Sequence, residues 1–137
     1  MNKINEFVIR RVKIFPNRST NKDFEWLCFS LGLMNSRDKD KTSMKIFKEF
    51  LSSPKKIKYF TTDDIANKLG ITRGAVIHHL NRMIELGLII QKEGKYTLRT
   101  NNLEELVDEI EQDIRNTLKI IKKISEEMDN VLKLPKR

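Results

Sequence analysis

Residues 61–98, TTDDIANKLGITRGAVIHHLNRMIELGLIIQKEGKYTL, decide how the rest of the chain is read. Thr61 followed by Asp64 has the spacing of a capping box, and Asp63 and Asp64 suit the positive end of a helix. Ile65, Ala66 and Leu69 then share one face. Gly70 takes a left-handed backbone at little cost and ends that helix. Ile71 plugs the turn, and Thr72 caps a second helix. Its inward positions are Ala75, Val76, Leu80, Met83, Ile84 and Leu86, and Gly87 stops it. Thr72, Arg73, Gly74, Ile77, His78 and Asn81 stay outside, with Arg82 near the edge. Leu88–Ile90 and Tyr96–Leu98 are β-rich runs around a turn at 91–95, so they predict a hairpin with Lys92 and Lys95 beside its tip. Helix, turn, helix and hairpin in that order predict a winged helix-turn-helix, whose second helix is shaped for the major groove of duplex DNA.

Working outward, charge agrees with this pattern. The 137 residues carry a net charge of +8. The first hundred hold 20 Lys and Arg against 10 Asp and Glu, whereas the last 37 hold 7 against 9. The basic excess therefore lies with the helix-turn-helix, where it attracts polyanions. No long uncharged apolar run is present, which argues against a membrane span. The N-terminus lacks the apolar core of a signal peptide. A single Cys28 allows no internal disulfide, so a cytoplasmic location is expected.

The run ITRGAVIHHLNRMIELGLI…EGKYTLR resembles the ArsR-like winged-helix regulators of archaea and bacteria, and more loosely the MarR-like ones. Those regulators combine a Ser/Thr-capped recognition helix, a His-Leu pair and a Gly-Leu-(Ile/Val) exit into the wing. The matching residues are Thr72, His79–Leu80 and Gly87–Leu88–Ile89. The likeness spans Lys45 to Arg99. It implies a dimeric DNA-binding repressor or activator and names no operator.

The flanks divide the chain into three parts. Residues 1–40 form an N-terminal extension. Within it, 6–15 suit an edge strand, with a helix as the alternative, and 23–32 read as a helix capped by Asp23 and ended by Gly32. A polar connector follows at 36–41. Residues 41–100 are the winged helix-turn-helix domain. It starts with a helix at 41–53 whose Met44, Phe47, Phe50 and Leu51 face inward and which Pro54 closes. Ile57–Phe60 is expected to add a third strand to the wing. Residues 101–137 read as one long helix capped by Asn102. Leu103, Val107, Ile110, Ile114, Thr117, Ile121, Ile124 and Met128 recur in steps of four and three, a heptad seam that calls for a second copy of the chain. The expected fold class is mainly α (α+β), a winged helix-turn-helix with a long C-terminal dimerisation helix.

The candidate DNA-binding residues are Thr72, Arg73, Gly74, Ile77, His78, Asn81, Arg82, Lys92 and Lys95. Arginine can hold guanine O6 and N7 together, asparagine can read adenine, an exposed isoleucine can cover a thymine methyl, and lysines suit phosphates. His79 reads as a packing residue. The thiolate pair of metal-sensing relatives is missing from 63–68, and Cys28 sits among Trp26, Leu27 and Phe29 as an inert thiol. No metal site, cofactor or catalytic set is expected, and the effector, if there is one, is unknown. The functional expectation is a homodimeric, sequence-specific transcription regulator on a pseudo-palindromic operator. The alternative is a winged-helix module for protein interaction or assembly, without DNA binding.

Overall fold

The computed structural model describes residues 5–35, 37, 41–52 and 59–136. Five helices and one hairpin follow in the order α1 (Thr20–Ser30), α2 (Thr42–Ser52), α3 (Thr62–Leu69), α4 (Arg73–Glu85), β1 (Ile89–Lys92), β2 (Lys95–Leu98) and α5 (Leu103–Leu132). This is a winged helix-turn-helix with an added N-terminal helix and a long C-terminal one. Residues 1–102 and 103–137 form two separate compact units.

Local chemistry sets the ends of α3 and α4. The Asp64 amide donates to Thr61 Oγ1 (3.1 Å), and the Thr61 amide donates to Asp64 Oδ2 (3.0 Å), a complete capping box. Gly70 closes α3 with φ at 66°, a region that costs a residue with a side chain roughly 1–2 kcal/mol. Thr72 Oγ1 accepts from the Ala75 amide (3.1 Å) and starts α4. At the far end, the Gly87 amide donates to the Ile84 carbonyl and the Leu88 amide to the Met83 carbonyl, each at 3.0 Å. That pair of bonds is a Schellman closure, and buried Leu88 and Met83 supply the apolar residues that usually accompany it.

Between these ends, α4 buries Val76, Leu80 and Met83 completely, each worth about 1.5–3 kcal/mol. They share the core with Ile65 of α3, with Leu86, Leu88, Ile89 and Tyr96, and with Ile46, Phe47 and Phe50 of α2. The face of α2 is rotated from the expected one. Ile46 is fully buried while Met44 and Leu51 are half-buried, because the buried set follows the 46, 47, 50 row. In α4, Ala75 and Ile84 are likewise half-buried at the edges of the stripe.

In the hairpin, Lys92 pairs with Lys95, Gln91 with Tyr96, and Ile89 with Leu98. The strands run longer than the β-rich runs suggested, so the turn shrinks to Glu93 and Gly94, both at positive φ (53° and 75°). That is the backbone of a two-residue primed turn, whose twist matches the strands. Of the third strand, the structure shows one antiparallel bridge, Phe60 with Tyr96, closed by two bonds of 2.8 Å. Residues 57 and 58 of that expected strand, Pro54, and most of the 36–41 connector lie outside the described residues.

The N-terminal extension departs most from expectation. Helix α1 starts at Thr20, three residues before the expected cap. Ser19 is the actual cap, its hydroxyl accepting from the Lys22 amide (3.2 Å), while Asp23 sits in the first turn and binds Arg18. A hydroxyl with extended backbone on the N-terminal side of a polar first turn outcompetes the later aspartate. Residues 6–15 are neither ladder strand nor helix. They form an extended strap held by single bonds: the Arg10 amide to the Ser30 carbonyl (2.8 Å), Arg10 Nη1 to the Met34 carbonyl (2.6 Å), and the Trp26 indole N–H to the Val12 carbonyl (2.9 Å). Val8 of this strap lies where a side chain on Gly32 would go, 2.5 Å from the position of its Cβ, and Gly32 has φ at 79°. Helix α1 joins the core through Phe24, stacked on Phe47 at 6.0 Å.

Candidate nucleic-acid interface

The outer face of α4 is set by what its inner face must do. With Val76, Leu80 and Met83 turned into the core, helical periodicity sends Gly74, Ile77, His78 and Asn81 to the opposite side, and all four are exposed. Thr72 and Arg73 are exposed at the N-terminal end. A built Cβ on Gly74 meets nothing within 4 Å, so neither packing nor backbone angle requires glycine there. Ile77 stands 36 % exposed in the middle of this polar face.

Two arginines of the candidate set are held differently. Arg73 Nη1 lies 3.8 Å from Asp63 Oδ1 of α3, and both side chains are about two-thirds exposed. Such a pair is worth little and yields readily to a better anion. Arg82 instead donates from Nη1 to Glu6 Oε2 (3.0 Å) and Glu85 Oε2 (3.2 Å), tying the N-terminal strap to the last turn of α4. It is half-buried. Sequence reasoning placed it near the edge of the reading face but missed the Glu6 partner, which lies 76 residues away and leaves no local signal. Asp63 was also missed as the partner of Arg73. Its position in the first turn of the neighbouring helix was the available clue.

Histidines 78 and 79 meet edge to face at 5.4 Å. His78 is exposed and His79 half-buried, which separates a surface residue from a packing one. On the wing, Lys92 and Lys95 are exposed and sit directly opposite each other across the hairpin. Like charges in that register weaken a hairpin. They are well placed for an external polyanion.

Asp64 ionises more readily than an ordinary aspartate. Its carboxylate accepts the Thr61 backbone N–H, with the Thr61 hydroxyl adding to the effect, and both hold its pKa down. Burial pushes the Cys28 thiol up to about 12, with Glu25 adding to the rise, so the thiolate that reactive chemistry requires is suppressed. Among the described residues, no three of His, Cys, Asp and Glu come together as a metal site would require. No described helix is long and apolar enough to cross a membrane.

Of the expected dimer seam, Ile110 is buried and Leu103, Ile114 and Thr117 are half-buried. Val107, Ile121, Ile124 and Met128 are exposed.

Residues 45–91, about a third of the chain, match the family model for bacterial regulatory protein, arsR family, a helix-turn-helix. The matched segment starts within α2, contains α3 and α4 whole, and ends in β1. It supports a DNA-binding transcription regulator. No curated protein matches the chain.

Proposed function

We propose that the chain is a sequence-specific, DNA-binding transcription regulator that acts as a homodimer on a pseudo-palindromic operator. One observation carries this reading: the exposed face of α4 presents Arg73, Gly74, Ile77, His78 and Asn81 together, on a helix whose other side is fully committed to the core. In the proposed complex the first turns of α4 enter the major groove. Arg73 leaves Asp63 for guanine or phosphate, Asn81 reads adenine or grips the backbone, and Ile77 covers a thymine methyl. Thr72 and His78 donate to phosphate or base, and Lys92 and Lys95 hold phosphates from the wing. Arg82 drops out of the reading set, since two carboxylates already hold it. The exposed apolar stripe of α5 supports the homodimer, and two-fold symmetry accounts for a pseudo-palindrome.

The test is selection of bound fragments from random duplex DNA, followed by affinity measurements at several salt concentrations. A recovered inverted repeat and a steep log–log salt slope are expected. Arg73→Ala should weaken binding to the selected site by about 1–3 kcal/mol. Failure to bind any duplex at low salt would remove the reading in favour of a protein-interaction module.

A further inference from the structure

Arg82 continues the outer face of α4 towards its C-terminal end. It lies four residues beyond His78, and residues four apart stack along one side of a helix. In helix-turn-helix proteins the first turns of the recognition helix meet base edges, and in some of them its far end meets the DNA backbone. A guanidinium at that end is placed for a phosphate, which fixes register without reading sequence. Here a carboxylate already holds it. Arg82 Nη1 donates to Glu6 Oε2 at 3.0 Å, with the Arg82 side chain 36 % and that of Glu6 54 % exposed. The second bond, 3.2 Å to Glu85 Oε2, comes from the same helix and moves with it. Glu6 comes instead from the N-terminal strap. Its hydrogen bond is the largest influence raising the Arg82 pKa above the ordinary value, ahead of Glu85.

The strap lets this contact open locally. The Glu6 amide donates to the Glu85 carbonyl at 3.3 Å, a long bond. The next strap bonds are those of Arg10, and between the two Val8 sits over Gly32. Glu6 and Phe7 are exposed. Lifting residues 5–7 would leave the anchors at Arg10 and Trp26 in place. Resting on the DNA-binding reading, we propose that Glu6 fills a phosphate site at the end of the recognition helix, so that the strap competes with the DNA backbone for Arg82. Carboxylate and phosphate accept the same charge-assisted bonds from a guanidinium, and an exposed ion pair is weak enough to exchange for a phosphate. While Glu6 is in place, Arg82 adds no phosphate contact. When Glu6 lifts, Arg82 adds one. The strap thus sets the strength of duplex binding without touching the residues that read bases.

The experiment measures binding of the full chain to a fluorescein-labelled, mixed-sequence duplex of about 20 base pairs, long enough for two grooves one turn apart. The parent, Glu6→Gln, Arg82→Gln and the double variant are compared over a series of salt concentrations. Glu6→Gln should tighten binding roughly two- to fivefold, the range that an exposed ion pair spans. It should also steepen the log–log salt slope by about 0.9, the value of one added phosphate contact. In the Arg82→Gln background the same substitution should leave the slope unchanged and tighten binding less, because only the general loss of a negative charge remains. Equal tightening in both backgrounds, or none in either, overturns the competition and leaves the DNA reading standing. A parent chain that binds no duplex at low salt overturns both. Glu6→Ala, which leaves no side-chain acceptor for Arg82, should repeat the steeper slope, and a slope equal to that of the parent also overturns the competition.

Discussion

Asp64 is where single-residue chemistry is most exposed to measurement. Its carboxylate accepts the Thr61 backbone N–H, and that bond lowers its pKa in the folded state. A depressed carboxyl pKa contributes stability above the ordinary carboxylate value, and this is lost as pH falls through the folded-state value. Asp64→Asn should therefore melt lower than the parent chain at neutral pH. The gap should close as pH is brought down through the carboxylate range, and thermal melts at a series of pH values check it. Its neighbour Asp63 has a different part. At 3.8 Å from Arg73 in open solvent it orients the guanidinium without holding it. Gly32 is fixed from within the fold: its φ of 79° and the overlying Val8 both act against a side chain, so backbone angle and packing together explain its identity.

Among the elements, α4 has two faces with opposite logic. The inner face is filled by Val76, Leu80 and Met83, and the outer one includes a glycine that the fold does not require. Gly74 lies in the first turn with a negative φ and open space around it. Alanine is the better helix former by roughly 0.8–1.0 kcal/mol in a helix interior, and by less near a terminus. A glycine kept there fits close approach of an outside backbone, which a methyl group would obstruct. Gly74→Ala should raise the melting temperature slightly and weaken binding to the selected duplex. Calorimetry and binding isotherms on one preparation check both signs together, and a variant that gains stability with unchanged affinity would remove Gly74 from the interface. The hairpin has a comparable division. Its turn is two residues, Glu93 and Gly94, and its strand ends hold Lys92 and Lys95 face to face at some cost to the hairpin itself.

At the scale of the whole molecule, two compact units meet solvent in different ways. Residues 1–102 have a core that includes Phe47, Leu80 and Leu88. Helix α5 instead leaves most of its apolar stripe open beyond Ile114. If a second copy covers that stripe, folding and association are linked, and the melting temperature should rise with protein concentration. Melts over a hundredfold range of concentration check this. A midpoint that does not move would argue against association through α5.

How far the residues alone could be read follows from the range of the forces involved. The capping box of Thr61 and Asp64, the Gly70 and Gly87 stops, the Thr72 cap and the inner face of α4 were all legible, because each depends on neighbours within a turn or two. The outer face of α4 followed from the same periodicity. The tertiary structure decided what depends on distant partners. It made 6–15 a strap, because its bonds run to Ser30, Met34 and Trp26. It rotated α2 onto Ile46, because the core on the far side sets that face. It tied Arg82 to Glu6 across 76 residues. Periodicity shows which face of a helix is apolar, but a bond between residues far apart in the chain depends on the packing that brings them together.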